Sequence, residues 1–183
     1  LPRSVYDAFN PLARARYWEY ANGEFFGNGF DAWWCDCTEP LDADWRPMSE
    51  GYGWDSHEER WKGNLALLDG VLGAERSSLF SLYHSKGLYE NQRATTDRKR
   101  VVNLTRSSYA GQQRYSTITW NGDTHASWKS FAQQIPQGLN FMATGCPYWT
   151  VDIGSFFTRK GREWFRAGDF DAGVDDMGYR EYY

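Results

Sequence analysis

Phe30-Asp31-Ala32-Trp33-Trp34-Cys35-Asp36-Cys37-Thr38-Glu39-Pro40 is the stretch from which the fold of this chain can be read. From Phe30 to Cys35 it is apolar apart from Asp31, rich in aromatic side chains and long enough only for a strand; it then runs into two carboxylates and a proline. Side chains on a strand alternate between faces, so Trp34 and Asp36 are expected on one face and Trp33 and Cys35 on the other. A buried strand that ends at a carboxylate, beside an aromatic wall, is where parallel barrels and open parallel sheets keep their reactive groups. The bland reading of Asp36 is a helix cap or a loop carboxylate. The rest of the chain decides between the two.

Upstream, Pro11 stands at a natural first helical position with Asn10 as its cap. The helix expected from Leu12 to about Asn22 spaces Leu12, Ala15, Tyr17, Trp18 and Ala21 on a face that can pack on a sheet. Downstream, residues 41–57 read as a loop carrying Trp45, Tyr52 and Trp54, either as substrate contacts or as anchors of the loop itself. A helix is expected over Ser78–Gln92, with Leu79, Leu82, Tyr83 and Tyr89 as its buried stripe. A second strand, Val101–Thr105, closes on Arg106, and a third, Arg114–Trp120, runs into Asn121-Gly122-Asp123. A helix from Ala126 to Asn140 contains Pro136 as a kink or early stop, and a fourth strand, Cys146–Ile153, brings Asp152 near its end. Asn103-Leu104-Thr105 has the form of a glycosylation sequon, read as accidental within a buried strand. Residues 157–183 turn polar and aromatic and read as a long surface loop or insert. The acidic residues there lack the ordered alternation of a calcium loop.

The repeating order is strand, polar residue, helix, strand, which means an α/β chain of parallel strands with helical crossovers. Four strands cannot close a barrel that needs eight and typically about 250 residues. The expected architecture is therefore a partial (β/α)8 TIM barrel, an arc of its middle-to-late strands and helices within one catalytic domain. A small doubly wound sheet is the alternative, but no Gly-rich phosphate loop follows a strand.

Aromatic residues make up 18% of the 183 positions, with 10 Trp, 12 Tyr and 11 Phe, which suits stacking against flat apolar faces such as those of sugars or nucleobases. A net charge of −4 argues against nucleic acid, because phosphate binding needs clustered Lys and Arg, and so favours a carbohydrate partner. The three cysteines are an odd count, and Cys35 and Cys37 are too close for an easy bridge, so no disulfide framework is expected. Neither a metal nor a cofactor is expected: no His or Cys pair stands at ligand spacing, and His57, His84 and His125 are scattered. No apolar run approaches membrane-spanning length, so no membrane partner is expected, and Leu1-Pro2-Arg3 opens no signal peptide.

Asp36, Asp123 and Asp152 end strands, and so does Arg106. If these ends share one mouth, the groups converge on a cleft walled by Trp34, Trp120 and Trp149. That composition suits glycoside hydrolysis, in which one carboxyl group attacks or activates water and another protonates the departing oxygen. No Gly-x-Ser-x-Gly elbow supplies a competing nucleophile.

The blocks Trp34-Cys35-Asp36-Cys37-Thr38-Glu39-Pro40, Leu104-Thr105-Arg106-Ser107-Ser108-Tyr109-Ala110-Gly111-Gln112-Gln113-Arg114-Tyr115, Trp120-Asn121-Gly122-Asp123 and Gly145-Cys146-Pro147-Tyr148-Trp149-Thr150-Val151-Asp152-Ile153-Gly154 resemble, in order, the signatures of glycoside hydrolase family 31. The members most resembled are bacterial α-xylosidases and α-glucosidases. The resemblance implies retaining hydrolysis of terminal α-xylosyl or α-glucosyl units through a covalent glycosyl-enzyme, with no cofactor. It makes Asp36 the nucleophile and Asp123 the general acid and base. Arg106 and Asp152 would hold sugar hydroxyls, Trp34 and Trp120 would wall the subsite, and Cys37 would border it. Cys37 stands where the family often has Met or Ala, Asn121 where Ser or Thr is usual, and Ser155 where Gly is frequent. The family also uses an acidic residue on an early strand, a His on a late one and flanking β-sandwich domains. The chain is accordingly expected to be an internal piece of a longer protein, with little turnover by itself. An inactive or glycan-binding piece and an α-transglucosylase on the same residues are the other readings, and a polysaccharide-degrading role would suit the bacterial periplasm or exterior.

Overall fold

The side-chain oxygen of Asn10 accepts from the Leu12 amide at 2.9 Å, and Pro11 at the first helical position lacks the N–H that would otherwise go unbonded. These two residues start helix α1 (Pro11–Glu24). The computed structural model describes residues 6–39, 62, 65, 66, 68–70, 72–124 and 126–156. The expected loop at 41–57 with Trp45, Tyr52 and Trp54, the stretch 157–183, and His57 and His125 lie outside the described residues. After α1 come strand β1 (Trp33–Cys35), a helical turn (Ala74–Ser77), helix α2 (Phe80–Thr95), strands β2 (Asn103–Thr105) and β3 (Thr117–Trp120), helix α3 (Trp128–Ala143) and strand β4 (Trp149–Thr150).

The four strands form one parallel sheet in the order β1-β2-β3-β4. This is the arc of a (β/α) barrel expected from the alternating pattern. Register aligns Cys35 with Thr105, Thr105 with Thr119, and Thr119 with Trp149. All four therefore share one face. Trp34, Leu104 and Ile118 line the other, and Trp120, two residues beyond Ile118, lies on it as well.

The helix-facing side is the core. Trp18, Ala21, Phe26 and Leu88 pack together there, with Trp33 and Cys35 against them. Both indoles, buried Trp18 and half-buried Trp33, find acceptors, Trp33 Nε1 on Gln92 Oε1 at 2.7 Å and Trp18 Nε1 on Thr95 Oγ1 at 2.9 Å, so neither N–H is left unpaired in the apolar layer. Trp34, on the opposite face, is 72% exposed. The alternation expected at the β1 stretch holds.

The strands are shorter than the apolar runs suggested. Pairing of β1 begins only at Trp33, whose amide donates to Val102 O, while Asp31 ahead of it is drawn aside to Lys99. The expected third strand is split: Gln112–Tyr115 is a 3-10 turn, ended by Ser116 in a left-handed conformation (φ 58°) before β3 begins. The β2 to β3 connection thus departs from the strand–helix–strand rule, crossing on this turn in place of an α-helix. Pro147, which has no N–H for a ladder, delays β4 to Trp149.

Two helices bury faces other than those expected. On α1, Leu12 is 79% exposed, and Arg14 is buried in its stead. Arg14 Nη1 donates to the carbonyls of Ala8 and Phe9 at 2.8 and 3.1 Å, and its stem lies against Gly87, where an added Cβ would meet Arg14 Cδ at 2.7 Å. On α2 the buried residues include Ser81, His84, Ser85, Leu88 and Gln92; Leu82, Tyr83 and Tyr89 are only half-buried. Polar partners explain the difference. Asn103 Nδ2 and Gln112 Nε2 donate to Ser85 Oγ, and Ser81 Oγ donates to Gln112 Oε1. The fully buried Asn103 is thereby committed to the interior, in keeping with an accidental sequon. Helix α3 continues through Pro136 to Ala143.

His84 gives the helix pair an acid sensitivity. Burial beside Phe80 and Tyr17 lowers its pKa to about 4, with Nδ1 lying 2.7 Å from the Tyr6 hydroxyl. The unfolded chain protonates near 6.5, so the stabilisation is complete above that pH and is lost as pH falls toward 4. The loss over that window is on the order of 3 kcal/mol. Urea denaturation at pH 7 and pH 4.5 is expected to show it, and His84→Phe is expected to remove most of the difference.

Candidate active site

The strand ends deliver the charged groups. Asp36 follows β1 directly, Arg106 follows β2, and Asp123 stands three residues beyond Trp120 at the end of β3. Arg106 is the hub: its Nη1 lies 3.3 Å from Asp36 Oδ1 and 3.9 Å from Asp123 Oδ2. Its Nη2 donates to Cys37 Sγ at 3.1 Å, and its Nε donates to Glu39 Oε1 at 2.6 Å. Burial opposes the charge on Arg106, but the carboxylates of Glu39 and Asp36 outweigh it and hold the guanidinium protonated. Asp152 belongs to the same field. Burial, and after it the charge of Asp36, raises its carboxyl above the ordinary range.

Local backbone geometry makes this convergence possible. After Asp36 the chain turns sharply, with Cys37 in a left-handed conformation (φ 53°) that favours glycine and costs other residues roughly 1–2 kcal/mol. The Cys37 amide donates to Asp36 Oδ1 at 2.7 Å. Buried Thr38 anchors the turn: its hydroxyl lies 2.6 Å from that of Thr105 at the end of β2 and also bonds the Ser107 hydroxyl. Opposite, Gly122 has φ +77°, and an added Cβ would meet Arg106 Cδ at 2.9 Å. A side chain at 122 would push Arg106 off its seat.

Trp34 and Trp120 meet edge to face with ring centroids 6.0 Å apart, forming an aromatic wall on the sheet face that carries Trp34. Trp149 does not join them. It pairs with Thr119, on the helix side of the sheet, where its ring packs on Phe141 at 4.9 Å and against Gly138. The expectation that Trp149 lines the cleft is corrected on this ground. One residue of register turned it to the other face.

Glu39 was not singled out by the sequence reading. Its side chain is 17% exposed and paired with Arg106, and the only hint of this was a second carboxylate three residues past Asp36 on the same turn. Burial pushes the Cys37 thiol up to about 11, so it stands beside Arg106 as a neutral group. Cys35, Cys37 and Cys146 are free thiols. Among the described residues no helix is long and apolar enough to cross a membrane, and no cluster of three or more His, Cys, Asp and Glu could hold a metal ion.

Residues 2–171 match the profile described as the glycosyl hydrolases family 31 TIM-barrel domain. The chain belongs to glycosyl hydrolase family 31. It is 40% identical over 154 residues to an α-xylosidase of Saccharolobus solfataricus, an alignment covering 82% of this chain and 19% of that protein. Among solved structures, the family 31 α-xylosidase from Xanthomonas citri superposes with a TM-score of 0.65 at 34% identity, over 84% of this chain and 16% of that one. A family 31 α-xylosidase from a soil metagenome, complexed with xylose, superposes with a TM-score of 0.63 at 27% identity, over 83% and 20%. The chain thus spans about a fifth of each of these relatives. Family 31 relatives of this chain include α-glucosidases as well as α-xylosidases.

Proposed function

We propose that this chain is the catalytic core of a longer retaining α-glycosidase, which removes terminal α-xylosyl or α-glucosyl units through a covalent glycosyl-enzyme. Asp36 attacks the anomeric carbon while Asp123 gives its proton to the departing oxygen; Asp123 then takes a proton from the water that releases the sugar. Arg106 and Asp152 hold hydroxyls of the sugar, Trp34 and Trp120 wall its ring, and Cys37 borders the pocket.

The observation that carries this reading is the single nitrogen, Nη1 of Arg106, that faces both Asp36 and Asp123. With one nitrogen 3.3 Å from Asp36 and 3.9 Å from Asp123, the two carboxylate oxygens are no more than about 7 Å apart, close enough to flank a single glycosidic bond; the retaining outcome rests on membership of the family. Charge supports the same reading: even with Asp123 protonated as the acid, Asp36 and Glu39 outnumber Arg106, and a negative surround favours the positive charge that grows on the anomeric carbon.

Similarity to α-xylosidases makes xylosyl the unit to try first. The test is hydrolysis of aryl α-xylosides and α-glucosides by the full-length protein that contains this segment, followed by proton NMR. The α-anomer is expected to form first. Release of the β-anomer first would overturn the retaining mechanism, and failure to cleave either glycoside would overturn the assignment.

A further inference from the structure

The guanidinium of Arg106 has two usable edges, and Glu39 occupies one of them. Nε and Nη2 both lie on Glu39 Oε1, at 2.6 and 2.5 Å, with both side chains largely withdrawn from water (15% and 17% exposed). Nη2 is further engaged by Cys37 Sγ. Nη1 is the nitrogen in contact with both Asp36 and Asp123, and both contacts, at 3.3 and 3.9 Å, are looser than a close charged pair. A guanidinium is planar and rigid, so fixing one edge fixes the direction of the remaining nitrogen.

The alternative arrangement is easy to state. Two nitrogens of Arg106 could engage Asp36 side by side, which is the stronger pairing for an arginine and a carboxylate. That would tie up the very carboxylate that must attack and would draw the guanidinium away from Asp123. Stability gives little reason for Glu39 to prevent it. Its second oxygen, Oε2, is buried with no hydrogen-bond partner among the described residues, and a half-satisfied buried ion pair contributes little net stability.

We propose that Glu39 is a positioning residue, which holds the Nε and Nη2 edge of Arg106 so that Nη1 alone is offered to Asp36 and Asp123. It acts through Arg106 and does not touch the sugar. The proposal rests on the glycosidase reading for its kinetic consequences, but its geometric content stands apart from that reading.

Two variants of the full-length protein separate geometry from charge. In Glu39→Ala the guanidinium is expected to turn two nitrogens onto Asp36 in a crystal structure, and kcat/KM to fall about 100-fold, mostly in kcat. In Glu39→Gln an acceptor oxygen stays in place without its charge. Arg106 should then keep its orientation, and kcat/KM should stay within about tenfold of wild type, so that the conservative variant rescues most of what the alanine variant loses. A role in folding alone would lower the melting temperature and leave Arg106 and the kcat of the folded fraction unchanged. Arg106 unmoved in the alanine variant, or a glutamine variant that keeps the melting temperature but loses kcat as far as alanine does, overturns the proposal; should the alanine variant not fold, Arg106 displaced in a crystal structure of the glutamine variant with kcat retained overturns it as well. If the wild-type protein cleaves no glycoside, the functional reading fails, and the orientation of Arg106 in the alanine variant still tests the role of Glu39.

Discussion

Asp36→Ala in the full-length protein is expected to lower kcat on an aryl α-xyloside by about 10⁴-fold or more, the scale of loss seen when a covalent nucleophile is removed. The residue stands at the end of β1, its Oδ1 accepting from the Cys37 amide and facing Arg106 Nη1, so truncation removes the carboxylate proposed to attack and leaves its neighbours seated. The vacated space gives a second, sharper readout. Azide fits where the carboxylate was and can attack the anomeric carbon from that side; the new C–N bond forms as the C–O bond to the phenol breaks and the phenolate departs. The product is then the β-glycosyl azide, inverted relative to the α-substrate. Activity near the wild-type level in this variant would remove Asp36 from the chemistry, and an α-azide product would place the nucleophile elsewhere.

How much of this could be seen in the sequence depended on how local each feature is. The two faces of β1 were legible because alternation needs only neighbouring residues, and the Asn10 cap because it is a contact within three positions. The parallel order followed from the repeated pattern of strands and helices. The buried face of α2 was not legible. Ser81, Ser85 and Gln92 look like surface residues until Asn103, Gln112 and Trp33 arrive from distant segments to bond them. Trp149 failed for a related reason: the apolar run at 146–153 shows that a strand is present but does not say which parity pairs with Thr119. Within the site, Asp36, Arg106 and Asp123 were readable as strand ends. Glu39 was not, because its approach to Arg106 depends on the left-handed turn at Cys37, a conformation that a cysteine does not announce.

Asp123→Ala is expected to give a loss whose size depends on what leaves. On an α-xyloside with a poorly acidic alcohol as leaving group, bond cleavage needs a proton, and kcat/KM should fall by about 10³-fold, within the usual range for a positioned general acid. On a 2,4-dinitrophenyl α-xyloside the phenolate departs unaided, so kcat/KM should stay within about tenfold of wild type. Release of the covalent intermediate then becomes slow, because no carboxylate is left to take the proton from water. Azide, which needs no such base, should restore turnover and give the α-glycosyl azide, the opposite anomer from that expected of Asp36→Ala. The two products together report which face each carboxylate serves. The structural part of the argument is that Asp123 Oδ2 lies 3.9 Å from the same nitrogen that faces Asp36, while Gly122 keeps the backbone close under Arg106. An equal loss on both substrates would mean that Asp123 only steadies Arg106. Proton transfer would then have to be assigned to another group, and Asp152, whose carboxyl is already raised by burial and by the charge of Asp36, would be the one to replace next.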